Sequence, residues 1–315
     1  MTAPPLVVVG HGTRSAEGVE QFLALTARVR ARAGAVAGAG AGAGSAPDVE
    51  GGLIELAPPT VGDAVNRLLG GLGAPGRPVV VVVPLVLAAA GHGKGDIPAS
   101  MVREQGRHPG LTYRYGRPLG PHPVLLDLLA ARVEETGAPR EGTHVVLVGR
   151  GSSDPDANAE IAKVARLLWE GRGYAGVEPA FVSLTEPSVP AALDKVRLLG
   201  ARRVVVAPYL LFPGVLPDRI VAQSLAWRSE RPDVDVRVAG LLGDCDELAG
   251  LVLTRYREAI DGHIRMNCDT CAYRVAMPGS TDKVGRPQTP HHHPDEPDHH
   301  HDRPSIAVQV AAGPR

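Results

Sequence analysis

Two rhythms of apolar and polar residues alternate along this chain. Short runs rich in Val, Leu and Ile, bounded by glycine or proline, read as buried strands. They fall near residues 6–10, 52–56, 79–84 and 111–115, and again near 144–149, 178–183, 203–208 and 234–238. Between them lie segments with apolar residues three or four positions apart, such as AEGVEQFLALTARVRAR (16–32) and DANAEIAKVARLLWE (156–170). That spacing predicts amphipathic helices. Strands that alternate with helices predict an α/β fold of parallel sheets with helices on both faces.

The second set of elements repeats the first. LVVVGHGTRS answers to VVLVGRGSSD and sets His11 opposite Arg150. LIELAPPTVGDAVNRLL answers to FVSLTEPSVPAALDKVR and sets Glu55 opposite Ser183. Further along, Pro84 aligns with Pro208 and Leu119 with Leu242. The chain is therefore a duplication, with halves expected at 1–137 and 143–263, each a four-stranded parallel sheet. GAPREGTH (137–144) reads as the linker, and the Gly/Ala segment 31–47 as a flexible surface loop. Residues 264–315 form a separate region, rich in Pro, Asp and His after Met277, that lacks periodicity and reads as a disordered tail.

Composition narrows the function. Hydrophobic residues are 44% of the 315, enough for a sizeable core, but aromatics are only 3%, so Val, Leu and Ala must fill it. A net charge of -1 argues against a nucleic-acid surface. The start MTAPP carries no basic leader, and the longest apolar run, 78–91, is broken by Pro84 and shorter than a span of roughly 20 residues. The expected location is the cytoplasm, with no membrane partner. Neither G-x-G-x-x-G nor a Walker sequence occurs, so no nucleotide is expected.

Because the halves share a scaffold, polar residues found in only one of them are candidates for chemistry. His11 faces Arg150, Glu55 faces Ser183, and His92 faces apolar Val215 or Leu216. All three fall at or just beyond strand ends of the first half, the rim where open α/β sheets bind ligands. Two imidazoles and a carboxylate with open positions suit a borderline divalent metal. The glycines beside His11 and His92 leave room for something broad and flat.

The segments VVGHGTRS, LIELAPPTV and GHGKGDIP resemble the sirohydrochlorin chelatases, which insert Fe2+ or Co2+ into a tetrapyrrole without ATP. The resemblance covers roughly residues 5–260, with GRGSSDPDAN matching the second half of the two-domain form. It implies catalytic and metal-holding roles for His11, His92 and Glu55. The small residues before His92, and Gly95 where the family often has an acid, depart from the pattern. Sirohydrochlorin carries eight carboxylates, so Arg14, Lys94 and Arg150 are expected to bind it, cations being the natural partners of carboxylates. A histidine pair can hold a partly dehydrated metal and accept pyrrole protons near neutral pH.

The segment MNCDTCAYR holds Cys268 and Cys271 as C-x-x-C; Cys245 is the third cysteine and aligns with His122. A cluster or zinc site needs four ligands. Long forms of the resembled family associate an iron–sulfur centre with such a motif; the other reading is thiols that hold a metal or are redox-inert, and a homo-oligomer is a separate expectation. Six of the twelve histidines sit in HHHPDEPDHHH (291–301), a composition that binds metal and reads as a store or delivery arm. Two rival readings are a metal or tetrapyrrole carrier and a histidine phosphatase. The phosphatases have arginine before the histidine, where this chain has Gly10.

Overall fold

The computed structural model describes residues 3–38, 45–71, 78–262 and 281–286. Its first half runs β1 (Leu6–Gly10), α1 (Ala16–Gly38), β2 (Val49–Leu53), α2 (Val61–Gly71), β3 (Val79–Pro84), α3 (Ile97–Arg107), β4 (Thr112–Tyr115) and α4 (Pro123–Glu134). The second repeats the order with β5 (Thr143–Gly149), α5 (Pro155–Trp169), β6 (Gly176–Phe181), α6 (Val189–Leu198), β7 (Arg203–Pro208), α7 (Val215–Glu230), β8 (Asp235–Val238) and α8 (Asp246–Asp261). Both sheets are four-stranded and parallel, with orders β2-β1-β3-β4 and β6-β5-β7-β8.

Alternate residues of each central strand feed different cores. In β1 and β3, Val7, Val9, Val80 and Val82 pack against α2 and α3. Leu6, Val8, Val81 and Val83 point the other way, into one continuous core that also takes Val145, Leu147, Val205 and Ala207 of the second sheet. Val146, Val148, Val204 and Val206 pack against α6 and α7. The two sheets therefore face each other across a shared layer made of α1, α4, α5 and α8.

Within that layer the last helix of each half is exchanged. Helix α4 packs on β7 and α5, whereas α8 packs on β3, β4 and α1. Two equivalent arginines hold the exchange. Arg132 of α4 donates from Nε to the Leu241 carbonyl at 2.8 Å and from Nη2 to that of Leu242 at 3.3 Å. Arg255 of α8 donates to the carbonyls of Pro118 (2.8 Å) and Leu119 (2.6 Å), the matching positions of the first half. Sequence patterning marks the apolar face of a helix, not the sheet it will cover, so the exchange lay beyond it.

Two local expectations shift. The second strand of each half lies at 49–53 and 176–181, two or three residues earlier than its pattern suggested. Both are edge strands containing Gly, Glu or Pro, and the chain leaves the sheet at Leu53 and Phe181, so Glu55 and Ser183 stand in loops. The Gly/Ala segment begins as helix: α1 continues to Gly38, since alanine is the best helix former. The tail from 264 lies outside the described residues apart from 281–286, where Thr281–Lys283 form a 3-10 turn.

Candidate functional site

The site is built on a close approach between the loops that follow β1 and β2. Gly12 has φ 109°, and a Cβ placed on it would lie 1.8 Å from the Glu55 carbonyl oxygen. Only glycine fits, on both counts. The approach lets the Glu55 backbone N–H donate to the His11 carbonyl at 3.1 Å. Leu56 then turns the chain away at φ 69°, which costs a non-glycine residue about 1–2 kcal/mol. The second half copies this backbone at Gly151 (φ 88°), Ser183 and Leu184 (φ 67°), with the Ser183 N–H on the Arg150 carbonyl at 3.1 Å. The backbone is duplicated; the histidine and the glutamate are not.

In the first half the approach brings a histidine and a glutamate together. His11 Nε2 lies 3.0 Å from Glu55 Oε1, and the side chains are 28% and 16% exposed. The other ring nitrogen, Nδ1, is 3.1 Å from the Gly12 carbonyl. Each ring nitrogen thus has an oxygen within hydrogen-bond distance. A depression of about 360 Å³ lies beside Glu55, lined among others by Leu56, Pro58, Arg103 and Glu104; His11 is not in its wall.

Arg150 reaches this site from the other half. It is exposed, yet the surrounding protein dehydrates it enough to lower its pKa, while the negative charges of Glu55 and Asp96 pull the other way. Arg14 is exposed on the loop after His11. The halves also meet nearby through Phe22 and Phe212, whose rings pack edge to face at 6.5 Å.

His92 opens a π-helical turn, His92–Asp96, at the end of the loop that follows β3. Its side chain lies outside the described residues. Lys94, expected to bind the substrate's carboxylates, is only 5% exposed and donates to Asp154 Oδ2 at 2.7 Å and Asp156 Oδ2 at 3.0 Å. Burial depresses its pKa, and the two carboxylates more than offset that, leaving it raised. Asp154 caps α5 by accepting from the Asp156 N–H at 3.1 Å. Asp96, Asp154, Asp156 and Glu160 were missed at the sequence level, where acids at a helix start read as caps and first-turn residues.

Cys245 is the N-cap residue of α8, as His122 is of α4. It is half-buried and, among the described residues, in no disulfide, and burial raises its thiol pKa. Cys268, Cys271 and the histidines of 291–301 lie outside the described residues. Among the described residues no group of three or more His, Cys, Asp and Glu gathers to hold a metal, and no helix is long and apolar enough to cross a membrane.

Comparison with known proteins follows this geometry. The CbiX family model matches the chain twice, over residues 5–136 and 144–259. A sirohydrochlorin cobaltochelatase of Priestia megaterium is 34% identical, over 86% of this chain and 85% of its own length. A sirohydrochlorin ferrochelatase of Bacillus subtilis is 28% identical over 80% of this chain and 90% of its own. The solved structure of SirB from Bacillus subtilis with Fe3+ superposes with a TM-score of 0.68 at 28% identity, covering 83% of this chain and 98% of that one.

Proposed function

The chain belongs to the CbiX family, and from that membership we propose that it inserts a divalent metal ion, Fe2+ or Co2+, into sirohydrochlorin. It is a lyase of the sirohydrochlorin chelatase kind, and the metal is its substrate. The observation that carries the reading is the 3.0 Å spacing of His11 Nε2 and Glu55 Oε1. Imidazole nitrogen and carboxylate oxygen are the donor types that a borderline divalent ion takes.

In this reading His11 and Glu55 hold the ion after it sheds part of its water. His92, on the same rim, completes the set or takes a pyrrole proton as the ring nitrogens replace protein ligands. Arg150 and Arg14 orient the peripheral carboxylates of the macrocycle, and the closeness of the two rims keeps bulk water out. Lys94, tied to two aspartates, is not assigned to the substrate.

The reaction is proposed to run in the cytoplasm. An iron–sulfur or second metal centre at Cys268 and Cys271 would need further ligands, for which Cys245 and a second copy of the chain are the candidates. No step of the reaction is routed through such a centre.

The test is metallation itself. Purified protein, mixed without air with sirohydrochlorin and Co2+ or Fe2+, should accelerate the spectral change of metal insertion. Binding of both partners without acceleration over the protein-free blank would make the chain a carrier and overturn the reading.

A further inference from the structure

The segment that carries His92 has backbone bonds of its own, Ala90 N–H to the Ala88 carbonyl at 3.0 Å and Lys94 N–H to that of Ala90 at 2.9 Å, but few side chains with which to hold its place. From Ala88 to Gly95 it reads AAAGHGKG, three alanines and three glycines around one histidine and one lysine. Small side chains make few packing contacts, and glycine loses more backbone freedom on ordering than any other residue. Yet a group that meets both a metal and a macrocycle must be held to within about 0.5 Å.

Three contacts bracket the histidine. Three residues before it, the Ala89 N–H donates to Glu160 Oε2 at 2.8 Å. Two residues after it, Lys94 is held by Asp154 and Asp156 at 2.7 and 3.0 Å. Between them the Tyr115 hydroxyl donates to the Gly93 carbonyl at 2.7 Å. Only Tyr115 belongs to the first half. The three acids stand on the cap and first turns of α5 in the second half, and all are buried. By the repeat that sets His11 opposite Arg150, their counterparts on α1 are Ser15, Glu17 and Gln21. The half without the histidines thus supplies the acids, and it directs them at the loop of the half that has them.

We propose that Asp154, Asp156 and Glu160 are positioning residues, a clamp by which the second half fixes the backbone around His92. The inference rests on His92 acting in the chelatase reaction. It also gives the second half, which lacks its own histidine and glutamate, a task besides the placing of Arg150. The halves are joined independently by the exchange of α4 and α8, so these contacts are not needed merely to hold them together.

A double-mutant cycle tests this, using the full-length chain. Glu160→Leu keeps the volume but loses the acceptor for the Ala89 N–H; Glu160→Gln keeps an acceptor. Glu160→Leu should lower kcat about tenfold or more, with the KM for sirohydrochlorin within about twofold, and Glu160→Gln should restore most of it. In a His92→Ala background Glu160→Leu should change kcat by less than about twofold, since contacts that act through one group are not additive. If Glu160→Leu does not fold, Asp156→Asn, which weakens the hold on Lys94, takes its place in the cycle. Equal losses in the His92 and His92→Ala backgrounds, or full kcat in folded Glu160→Leu, would overturn the clamp while leaving the chelatase reading intact. A His92→Ala chain with undiminished kcat would instead remove the reading on which the clamp rests.

Discussion

Replacement of Arg255 by methionine measures how strongly the exchanged helix is bound. The side chain is 1% exposed and makes four polar contacts: to the carbonyls of Pro118 and Leu119 and to both carboxylate oxygens of Glu258. Glu258 keeps Arg117, which donates to it at 2.8 and 2.7 Å, so the substitution strands no buried charge. It does strand two carbonyls. Each buried group left without a partner costs about 1–3 kcal/mol, so the expected loss is about 4 kcal/mol. For a chain of this size that is roughly a 10 °C fall in Tm. The equivalent Arg132→Met should cost less, about 1–2 kcal/mol, because that side chain is 25% exposed and water can replace it. The assay is urea unfolding followed by far-ultraviolet circular dichroism and by tryptophan fluorescence. Both tryptophans, Trp169 and Trp227, lie in the second half, whereas the stranded carbonyls lie in the first. If the exchanged helices bind the halves into one unit, both signals should shift together. A fluorescence midpoint that stays put while the circular dichroism transition splits would refute the reasoning, as would a loss below about 0.5 kcal/mol.

Four further outcomes are expected. His11→Ala and Glu55→Gln should each lower kcat about a hundredfold in steady-state metallation, with Tm within a few degrees of the parent. Arg150→Ala should raise the KM for sirohydrochlorin and leave kcat nearly unchanged, as loss of an orienting contact does. Gly12→Ala should destabilise the first half and abolish turnover together, because its Cβ would displace the Glu55 carbonyl; thermal denaturation and the metallation assay read the two effects. Hydrogen bonding from Arg117 holds the Glu258 carboxyl below its usual pKa, against the opposing pull of burial. A depressed carboxyl contributes stability above its unfolded pKa of 4.5 and loses it as pH falls through the folded value. The gap in urea midpoint between the parent and Glu258→Gln should therefore hold from pH 7 to 5 and narrow below 4.5.

Legibility in the sequence followed burial. Strands β1, β3, β5 and β7 are central and covered on both faces, so they appear as unbroken runs of Val, Leu and Ala. The edge strands β2 and β6, VEGGL and GVEPAF, need no such run, and their positions slid with the alignment that located them. His11 and Glu55 were legible because the duplicate half supplied a reference without them. Lys94 was legible as a cation but not as a buried one, since its partners sit sixty residues away at the start of α5. The exchange of α4 and α8 left no mark in periodicity, because either sheet offers the same apolar surface to an amphipathic helix.

That exchange also dictates an order of events during synthesis. The ribosome releases the strands of the first sheet early, but α8, which covers part of its inner face, is completed only at Asp261. More than a hundred residues separate β4 from that point. At about 5–20 residues per second, Val81 and Val83 wait on the order of ten seconds for the helix that covers them. During that interval the nascent chain presents an apolar sheet face to the cell, a docking surface for chaperones that the finished enzyme no longer has.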